Sequence, residues 1–316
     1  MTSGERGFAL VAVLLVLGLL GIIGAEFSYS MRLEASAMRA WRDNINAAHL
    51  AEAGLEQALR ELSGDVKFAS EAVDGLLTFY SQQPGAGAQQ LVALPRLPRT
   101  KVRLGPGEFS YHITDEQSRI NVNANNQQRF DKLLQCLGID KNRRDQIVDA
   151  ILDWVDTNEE HRLHGAESDD YYLSLPTPYR ARNGPMESVN ELLQIKGVTP
   201  ALFEGGDGKP GLADVFTAAK GAVRVNVNTA GPVVLCGMGA SEAEISKIMQ
   251  GRRETPYLNA TAALSNPGGF TATSQTFRIE AEGLIDGRPR ASLTAVVQRR
   301  TSPAIATVVV EWSGVR

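Results

Sequence analysis

The chain has little cysteine and no excess of positive charge. Its 316 residues include two cysteines and carry a formal net charge of −4, so the composition indicates no nucleic-acid partner. It also lacks paired zinc-binding cysteines, a nucleophile elbow, a glycine-rich phosphate loop and a His-Glu-x-x-His motif. These absences predict a protein that is not an enzyme. Cys136 and Cys236 could form one disulfide in an oxidising compartment, and two buried thiols on separate helices fit their spacing equally well.

A long apolar run follows a short polar leader at the amino terminus. No charged residue occurs from Phe8 to Ala25, a length close to the about 20 residues that span a bilayer as a helix. A secretory signal would discard its apolar stretch after a small-x-small site, whereas cleavage after Gly7 would leave Phe8 first and keep the run attached. A plain membrane anchor is the alternative. In both cases the leader is expected to stay cytoplasmic and the residues after the run to be exported.

Apolar residues continue at helical spacing beyond this run. The pattern extends from Met31 to Leu62, and neither proline nor glycine interrupts it before Gly54. It predicts one helix of about 55 residues, roughly 80 Å long at 1.5 Å per residue. Such a helix is too long for an ordinary globular domain and suits a fibre subunit, in which exposed apolar helix packs against the same helix in neighbours.

Strand patterns lie on both sides of a long helical stretch. Apolar and polar residues alternate around 100–114, and the alternation resumes at 277–297 and 307–312. The simplest interpretation is an α+β protein whose long N-terminal helix packs on one antiparallel sheet, with a large all-helical domain inserted into that sheet. Residues 68–98 are predicted to be a helix followed by a mobile connection around 84–88.

Two segments share a pattern in which strand-like residues lead through asparagine into a helix. They are Arg119-Ile-Asn-Val-Asn-Ala124 and Arg224-Val-Asn-Val-Asn-Thr229. Asn123 and Asn228 are predicted to cap the following helices, because asparagine side chains accept hydrogen bonds from the free amides of a helix start. A capping and turn role is favoured, and a duplicated functional site is the alternative.

The segment Asn190 to Pro200 resembles a helix-hairpin-helix, a motif that in other proteins holds a DNA phosphate through hairpin amides. DNA binding is disfavoured because the chain is acidic, exported and without a stripe of lysine or arginine. The hairpin is therefore predicted to be architectural.

Acidic residues are concentrated in one short stretch. Seven carboxylates lie there beside a single arginine, at Asp153, Asp156, Glu159, Glu160, Glu167, Asp169 and Asp170. Oxygen ligands on an irregular loop suit Ca²⁺, which takes about 6 to 8 of them, although the spacing is not that of an EF-hand. A merely solvated acidic loop is the alternative. His161 and His164 also raise zinc-dependent hydrolysis, which the surrounding hard oxygen ligands disfavour.

The chain resembles the type IV pilin and pseudopilin superfamily. The resemblance lies in Gly7-Phe8, the apolar helix and the stretch Ala51-Glu52-Ala53-Gly54-Leu55. Pilin-like subunits generally carry a glutamate as the fifth residue of the mature chain, and here that residue is Ala12. A carboxylate buried in lipid costs several kcal/mol unless it is paired, so this change removes both a burden and a docking contact. The absence and the large size are typical of the K pseudopilins of type II secretion.

The acidic region strengthens the resemblance to the K pseudopilins. Asp153-Trp154-Val155-Asp156 and several short segments within 165–192 are similar to the family signature around its calcium sites. The resemblance implies a structural Ca²⁺. Its implied ligands are Asp156, Glu167, Asp169 and Asp170, with weaker candidates at Asn158 and Asp153.

The resemblance also implies a location, partners and a role. It implies cleavage between Gly7 and Phe8 by prepilin peptidase, methylation of the new terminus, and a single pass through the bacterial inner membrane with a periplasmic C-terminal domain. The protein would be a minor pseudopilin that starts the pseudopilus and forms its tip complex with the minor pseudopilins I and J. A minor type IV pilin and a metal-dependent periplasmic hydrolase are the alternatives.

The predicted organisation has five parts. They are a leader at 1–7, a long helix at 8–62 with its transmembrane part at 8–25, the first part of the pilin-like domain at 63–114, the inserted helical domain with its acidic loop at 115–275, and the rest of the sheet at 276–316.

Overall fold

A long helix leads into an antiparallel sheet that a large insertion interrupts. In a computed structural model of the chain, residues 3–64, 66–72, 74–82, 91–300 and 306–315 are described. From the amino terminus the elements are α1 (Ser3–Ser63), β1 (Phe68–Glu71), β2 (Leu77–Gln82), β3 (Leu91–Ala93), β4 (Val102–Leu104), β5 (Gly107–Asp115), β6 (Ile120–Asn121), α2 (Gln127–Cys136), α3 (Lys141–Val155), α4 (Pro200–Glu204), β7 (Gly205–Gly206), β8 (Lys209–Pro210), α5 (Leu212–Val215), β9 (Phe216–Thr217), β10 (Val225–Asn226), α6 (Pro232–Gly237), α7 (Glu242–Glu254), β11 (Phe270–Thr271), β12 (Thr276–Ile285), β13 (Arg288–Arg300) and β14 (Ala306–Val315).

Helix α1 is exposed to solvent over its first part and buried along one face over its last part. Large apolar side chains from Leu10 to Trp41 are at least half exposed. From Ala47 onward, one stripe of α1 is buried against the sheet, at Ala47, Leu50, Ala51, Leu55, Ala58 and Leu62. Helical spacing of three and four residues places these side chains on one face. Within the described residues, this is the one helix long and apolar enough to cross a membrane.

The sheet under α1 has five antiparallel strands in the order β14-β13-β12-β5-β4. Strand β12 approaches α1 so closely that a Cβ atom at Gly283 would overlap the backbone carbonyl of Ala47. The end of α1 is tied down by Arg99, which donates to both carboxylate oxygens of Glu61 at 3.1 and 2.7 Å. Tyr111 of β5 donates to the same carboxylate at 3.0 Å. These contacts fix the helix on the sheet.

The predicted helix in 68–98 is wrong. Strands β1, β2 and β3 form a separate three-stranded antiparallel sheet there, and the predicted connection at 84–88 lies outside the described residues. Contacts distant in sequence support this sheet. The backbone N–H of Glu71 donates to the carbonyl of Asn228 at 3.2 Å, and buried Arg252 pairs with the Glu71 carboxylate at 3.1 Å. A short segment takes its conformation from such partners, which local propensity does not contain.

The insertion between β5 and β12 contains the same small unit twice. Each unit begins with a two-residue strand that pairs in parallel with a later one, β6 with β9 in the first unit and β10 with β11 in the second. Two helices follow, α2 and α3 or α6 and α7. Residues 119–217 and 224–271 are called the first and second units below. The insertion was expected to be all-helical, and the structure shows that it also contains short strands.

The asparagines of the repeated motif do not cap helices, so that prediction is wrong. Asn123 accepts from the N–H of Met186 at 2.8 Å and donates to its carbonyl at 2.9 Å. Asn228 does the same to Tyr257, at 2.7 and 3.0 Å. Each side chain thus satisfies both polar groups of a backbone position far along the chain. Capping falls instead to Asn126, which accepts from the N–H of Arg129 at the start of α2.

The helices of the two units pack on each other and are joined covalently. Cys136 at the end of α2 is bonded to Cys236 in α6, which decides between the two states left open by the spacing. A Cβ atom at Gly237 would overlap Leu133 of α2, so glycine permits the close approach of α2 and α6. Each helix pair turns through a glycine with positive φ, Gly138 or Gly239.

A buried carboxylate joins the sheet to the second unit. Asp115, at the end of β5, accepts hydrogen bonds from the Ser274 and Thr229 hydroxyls, the Asn226 amide and the N–H of Gln117. No cation is among these partners. Burial outweighs the four hydrogen bonds and raises the pKa of Asp115 to about 6.

We expect this carboxylate to make stability fall with rising pH. Its pKa is higher in the folded than in the unfolded chain, so the folded chain binds more protons between pH 3.8 and about 6. The resulting loss is on the order of 3 kcal/mol across that window. Denaturant unfolding at pH 4.5 and 7 should detect about 2 kcal/mol of this loss, with Asp115→Asn as the control that cannot titrate. An equal pH dependence in both proteins would contradict the assignment.

Candidate metal centre

The acidic loop has no counterpart in the second unit. In the first unit α3 ends at Val155, and residues 156–184 follow before Pro185. In the second unit α7 ends at Glu254, and only Thr255 precedes the equivalent Pro256. The loop is therefore an addition to the repeated unit, and its contacts decide whether it has a role of its own.

Two of the predicted ligands anchor the loop through an arginine. Asp153 is fully buried and accepts from the Arg162 guanidinium at 2.6 Å and from the N–H of Ala166 at 3.0 Å. The same guanidinium contacts Asp156 at 2.7 Å. A Cβ atom at Gly165 would overlap the Asp153 carboxylate, so the loop needs glycine there. Burial raises the pKa of Asp153 despite these hydrogen bonds.

Glu167 is buried with an unpaired carboxylate. Its side chain is 1% exposed, and neither carboxylate oxygen has a hydrogen-bond partner among the described residues. Burial raises the pKa of Glu167 to about 8, and the negative charges of Asp153, Asp156 and Glu159 add to the effect. An ionised carboxylate buried without a partner is costly, so this position favours a bound cation or a proton.

A second unpaired oxygen lies in the same loop. Asn183 donates to Glu159 at 2.8 Å, while its own carbonyl oxygen is buried without a partner. Ser168, next to Glu167, also contacts Glu159, at 3.4 Å. The backbone of Asn183 is left-handed, with φ of 49°, a conformation that asparagine tolerates better than most residues. Carboxylate and amide oxygens of this kind are Ca²⁺ ligands.

Among the other predicted ligands, Asp170 lies next to Glu167, whereas Asp169 and Asn158 are exposed. Asp170 accepts from the N–H of Glu167 at 2.8 Å. Asp169 has an 81% exposed side chain, and Asn158 accepts from the N–H of Glu160 on the surface. In the described parts of the chain, no three His, Cys, Asp or Glu side chains stand close enough together to hold a metal ion as they are. A cation at Glu167 would therefore need backbone, amide or water oxygens to complete its sphere.

The two histidines do not share a helical face. Both lie in irregular backbone rather than on a helical face, and both are exposed. The ring of His161 contacts the carbonyl of Arg162, while His164 is held through its backbone N–H by Asp149.

The helix-hairpin-helix segment supports the loop from below. The Lys196 ammonium donates to the carbonyl of Gly165 at 2.9 Å, and the backbone N–H of Lys196 donates to the buried Tyr172 hydroxyl at 3.4 Å. Gly197 lies against Ile147 of α3. The hairpin thus contacts protein with the groups that would face a phosphate in a DNA-binding protein.

Comparison with known proteins identifies the family. A family model described as type II secretion system protein K matches residues 110–205. A type II secretion system protein K of Pectobacterium carotovorum is 30% identical over 254 residues, which cover 72% of this chain and 68% of that protein. The chain belongs to the type II secretion system protein K family. The Klebsiella pneumoniae member is 28% identical over 84% of this chain and 81% of its own length.

A solved structure has the same fold. It is a chain in the crystal structure of the GspK-GspI-GspJ complex from enterotoxigenic Escherichia coli, with a TM-score of 0.61, 16% sequence identity and coverage of 90% of this chain and 98% of that chain. The α+β pilin-like fold predicted from the sequence is confirmed. Protein K is a pseudopilin family and not a known enzyme family. In the described part of this chain, one apolar helix at the amino terminus fits a single-pass membrane anchor.

Sequence reasoning did not single out two residues of the acidic loop, Glu159 and Asn183. Glu159 and Glu160 are neighbouring acidic residues and both are exposed, so nothing in the sequence shows that Glu159 is the one that contacts Asn183. Asn183 follows Glu159 by 24 positions and meets it only in the folded loop. The available signal was the Asn183-Gly184-Pro185 turn, because asparagine before glycine often adopts the left-handed conformation.

Proposed function

We propose that this protein is a minor pseudopilin at the tip of the type II secretion pseudopilus, where it helps to start assembly and export across the outer membrane. The observation that carries the proposal is helix α1, whose apolar side chains from Leu10 to Trp41 are exposed over a length that the other described residues do not cover. The membrane and the helices of other subunits are the surroundings that would bury them.

The position at the tip is supported by size. The insertion, residues 116–275, lies beside the pilin-like sheet and widens the subunit. A subunit wider than the fibre can be accommodated only at an end. Ala12 supports the same position. The glutamate usual at this place needs a positive amino terminus of a neighbouring subunit to pair with, and a subunit with alanine there does not.

The partners are the minor pseudopilins I and J. The similar chain of known structure belongs to a complex named for GspK, GspI and GspJ. The exposed apolar face of α1 is suited to association with the equivalent helices of those two subunits. The orientation places the leader in the cytoplasm and the sheet and insertion in the periplasm.

Calcium is a structural component of the acidic loop in this proposal. Glu167, Glu159 and Asn183 would hold the ion, since two of them carry buried oxygens without partners. When bound, Ca²⁺ would supply a positively charged partner for the Glu167 carboxylate. Asp153 and Asp156 hold Arg162 and thereby shape the loop around it. The ion would tie residues 156–184 to the first unit.

A change at the processing site tests the function. In a strain without its own copy of the gene, Gly7→Leu should leave the seven-residue leader attached and abolish secretion. Gly4→Leu, in the same leader, is the matched control and should be cleaved normally. The mass of the membrane-bound chain and the amount of exported protein are measured together, and wild-type protein should co-purify with I and J.

Two outcomes would contradict the proposal. Normal secretion with an uncleaved Gly7→Leu chain would exclude processing from the function. A loss of surface pili without a loss of secretion would favour a minor type IV pilin.

A further inference from the structure

Each unit of the insertion forms a groove at the same place. In the first unit it lies between the turn at 187–190 and residues 218–219, which follow β9. In the second unit it lies between the turn at 258–261 and residues 272–273, which follow β11. The positions correspond because Ser188 and Asn259 both cap a 3-10 turn and because β9 and β11 pair in the same register. The cavities are about 300 and 470 Å³.

The groove of the first unit is closed by the sheet. Its opposite wall consists of Arg278, Thr294, Val296 and residues 311–313, on β12, β13 and β14. Val296 packs against Ala219 and Ala222 of the insertion, whereas its neighbours along β13 face α1. Side chains alternate between the two faces of a strand, so the wall is the sheet face opposite α1. The first groove therefore shows what kind of surface this unit accepts.

The equivalent groove of the second unit is open. Among the described residues, its lining comes only from residues 224–273. Its floor is apolar, with buried Phe270 and Ala272, while Leu258 at its rim is 37% exposed. Thr273 occupies the position of Ala219 in the first unit and is exposed.

The rim of the open groove also carries an unpaired charge. Arg224 lines the groove, is exposed and has no ion pair in the described parts of the chain. Its counterpart Arg119 lies 3.8 Å from the Glu116 carboxylate. A surface that closes the second groove would therefore bring an acidic side chain toward Arg224 and apolar side chains toward Leu258 and Ala272.

We propose that the second-unit groove docks the outer sheet face of a neighbouring pseudopilin, as the first-unit groove docks the sheet of its own chain. The inference rests on the proposed function, because I and J are the neighbouring subunits in the proposed tip complex. The docking surface would present a β-branched or other apolar side chain to the groove floor and a carboxylate to Arg224. The insertion then holds two sheets at once, its own and that of the neighbour.

Co-purification of the full-length chain with the I and J subunits of the same system tests the inference. Leu258→Asp places a charge in the groove and should lower recovery of the partners by about tenfold, equivalent to 1.4 kcal/mol. Leu193→Asp is the matched control, since Leu193 is 44% exposed in the 3-10 helix Val189–Gln194 of the first unit and lies outside its groove. Both variants should melt at the wild-type temperature. A photo-cross-linking residue at Thr273 should join the chain to I or J.

The outcomes separate the groove from the function. If wild-type protein and both variants recover I and J equally, the groove inference is overturned and the proposed function stands. If wild-type protein recovers neither subunit, both fail. A cross-link from position 273 to a second copy of this chain, or to a protein without a pilin-like sheet, would overturn the docking assignment.

Discussion

Replacing both cysteines by serine should lower the free energy of unfolding by about 4 to 5 kcal/mol. Cys136 and Cys236 are 100 positions apart, so their bond closes a long loop and removes many conformations of the unfolded chain. The loop includes the acidic segment, the hairpin and the start of the second unit. Denaturant unfolding of the detergent-solubilised chain, with and without the two substitutions, measures the difference.

A second experiment separates the effect of the covalent bond from any effect of serine on local packing. Wild-type protein under reducing conditions should lose the same stability as the double variant, and the variant should not respond to the reductant. The cross-link joins α2 to α6, so its loss should also loosen the contact between Gly237 and Leu133. A change below about 1 kcal/mol would show that the unfolded chain keeps the two units close together even without the bond.

Calcium should raise the melting temperature of the wild-type chain, and Glu167→Gln should remove the response. A cation at a hundred times its Kd stabilises by about 2.7 kcal/mol, which corresponds to roughly 4 °C in a chain of this size. Without calcium, the variant should be at least as stable as wild type, because a neutral amide costs less to bury than an unpaired carboxylate. Thermal unfolding with calcium and after chelation measures both effects.

Asp169→Asn is the matched control for this experiment. Its carboxylate lies in the same loop, two positions from Glu167, and its side chain is 81% exposed. It should keep the calcium response, although the resemblance to the K pseudopilins implies Asp169 as a ligand. A response lost in Asp169→Asn and kept in Glu167→Gln would contradict the site built from the structure. No calcium response in wild type would remove the ion from the proposed function.

Regular patterns explain why much of the fold could be predicted. The apolar run, the helical spacing up to Leu62 and the alternation at 277–297 are local signals, and α1, β12 and β13 follow them. The segment 68–98 has no pattern long enough to choose between helix and strand. Its conformation comes from pairing of β1 with β2 and from contacts with the second unit, which lie far away in sequence.

The asparagine motif was recognised as a repeat and assigned the wrong role. Asparagine before a helix is a common cap, and the sequence around Asn123 and Asn228 fits that use. Both side chains instead hold the backbone of a distant residue, Met186 or Tyr257. A capping bond joins neighbours and can be read locally, whereas these bonds exist only when each unit has closed.

The sequence by itself determined the long apolar helix, the interrupted sheet, the repeated motif and the acidic character of the loop, because each depends on residue types and spacings within one segment. Only the tertiary structure decided that Cys136 pairs with Cys236, that Arg162 occupies two of the expected ligands and that Glu167 is left unpaired. These contacts depend on which residues, distant in sequence, come together and are shielded from water in the folded chain. Burial sets the cost of an unpaired charge, and burial belongs to the folded chain.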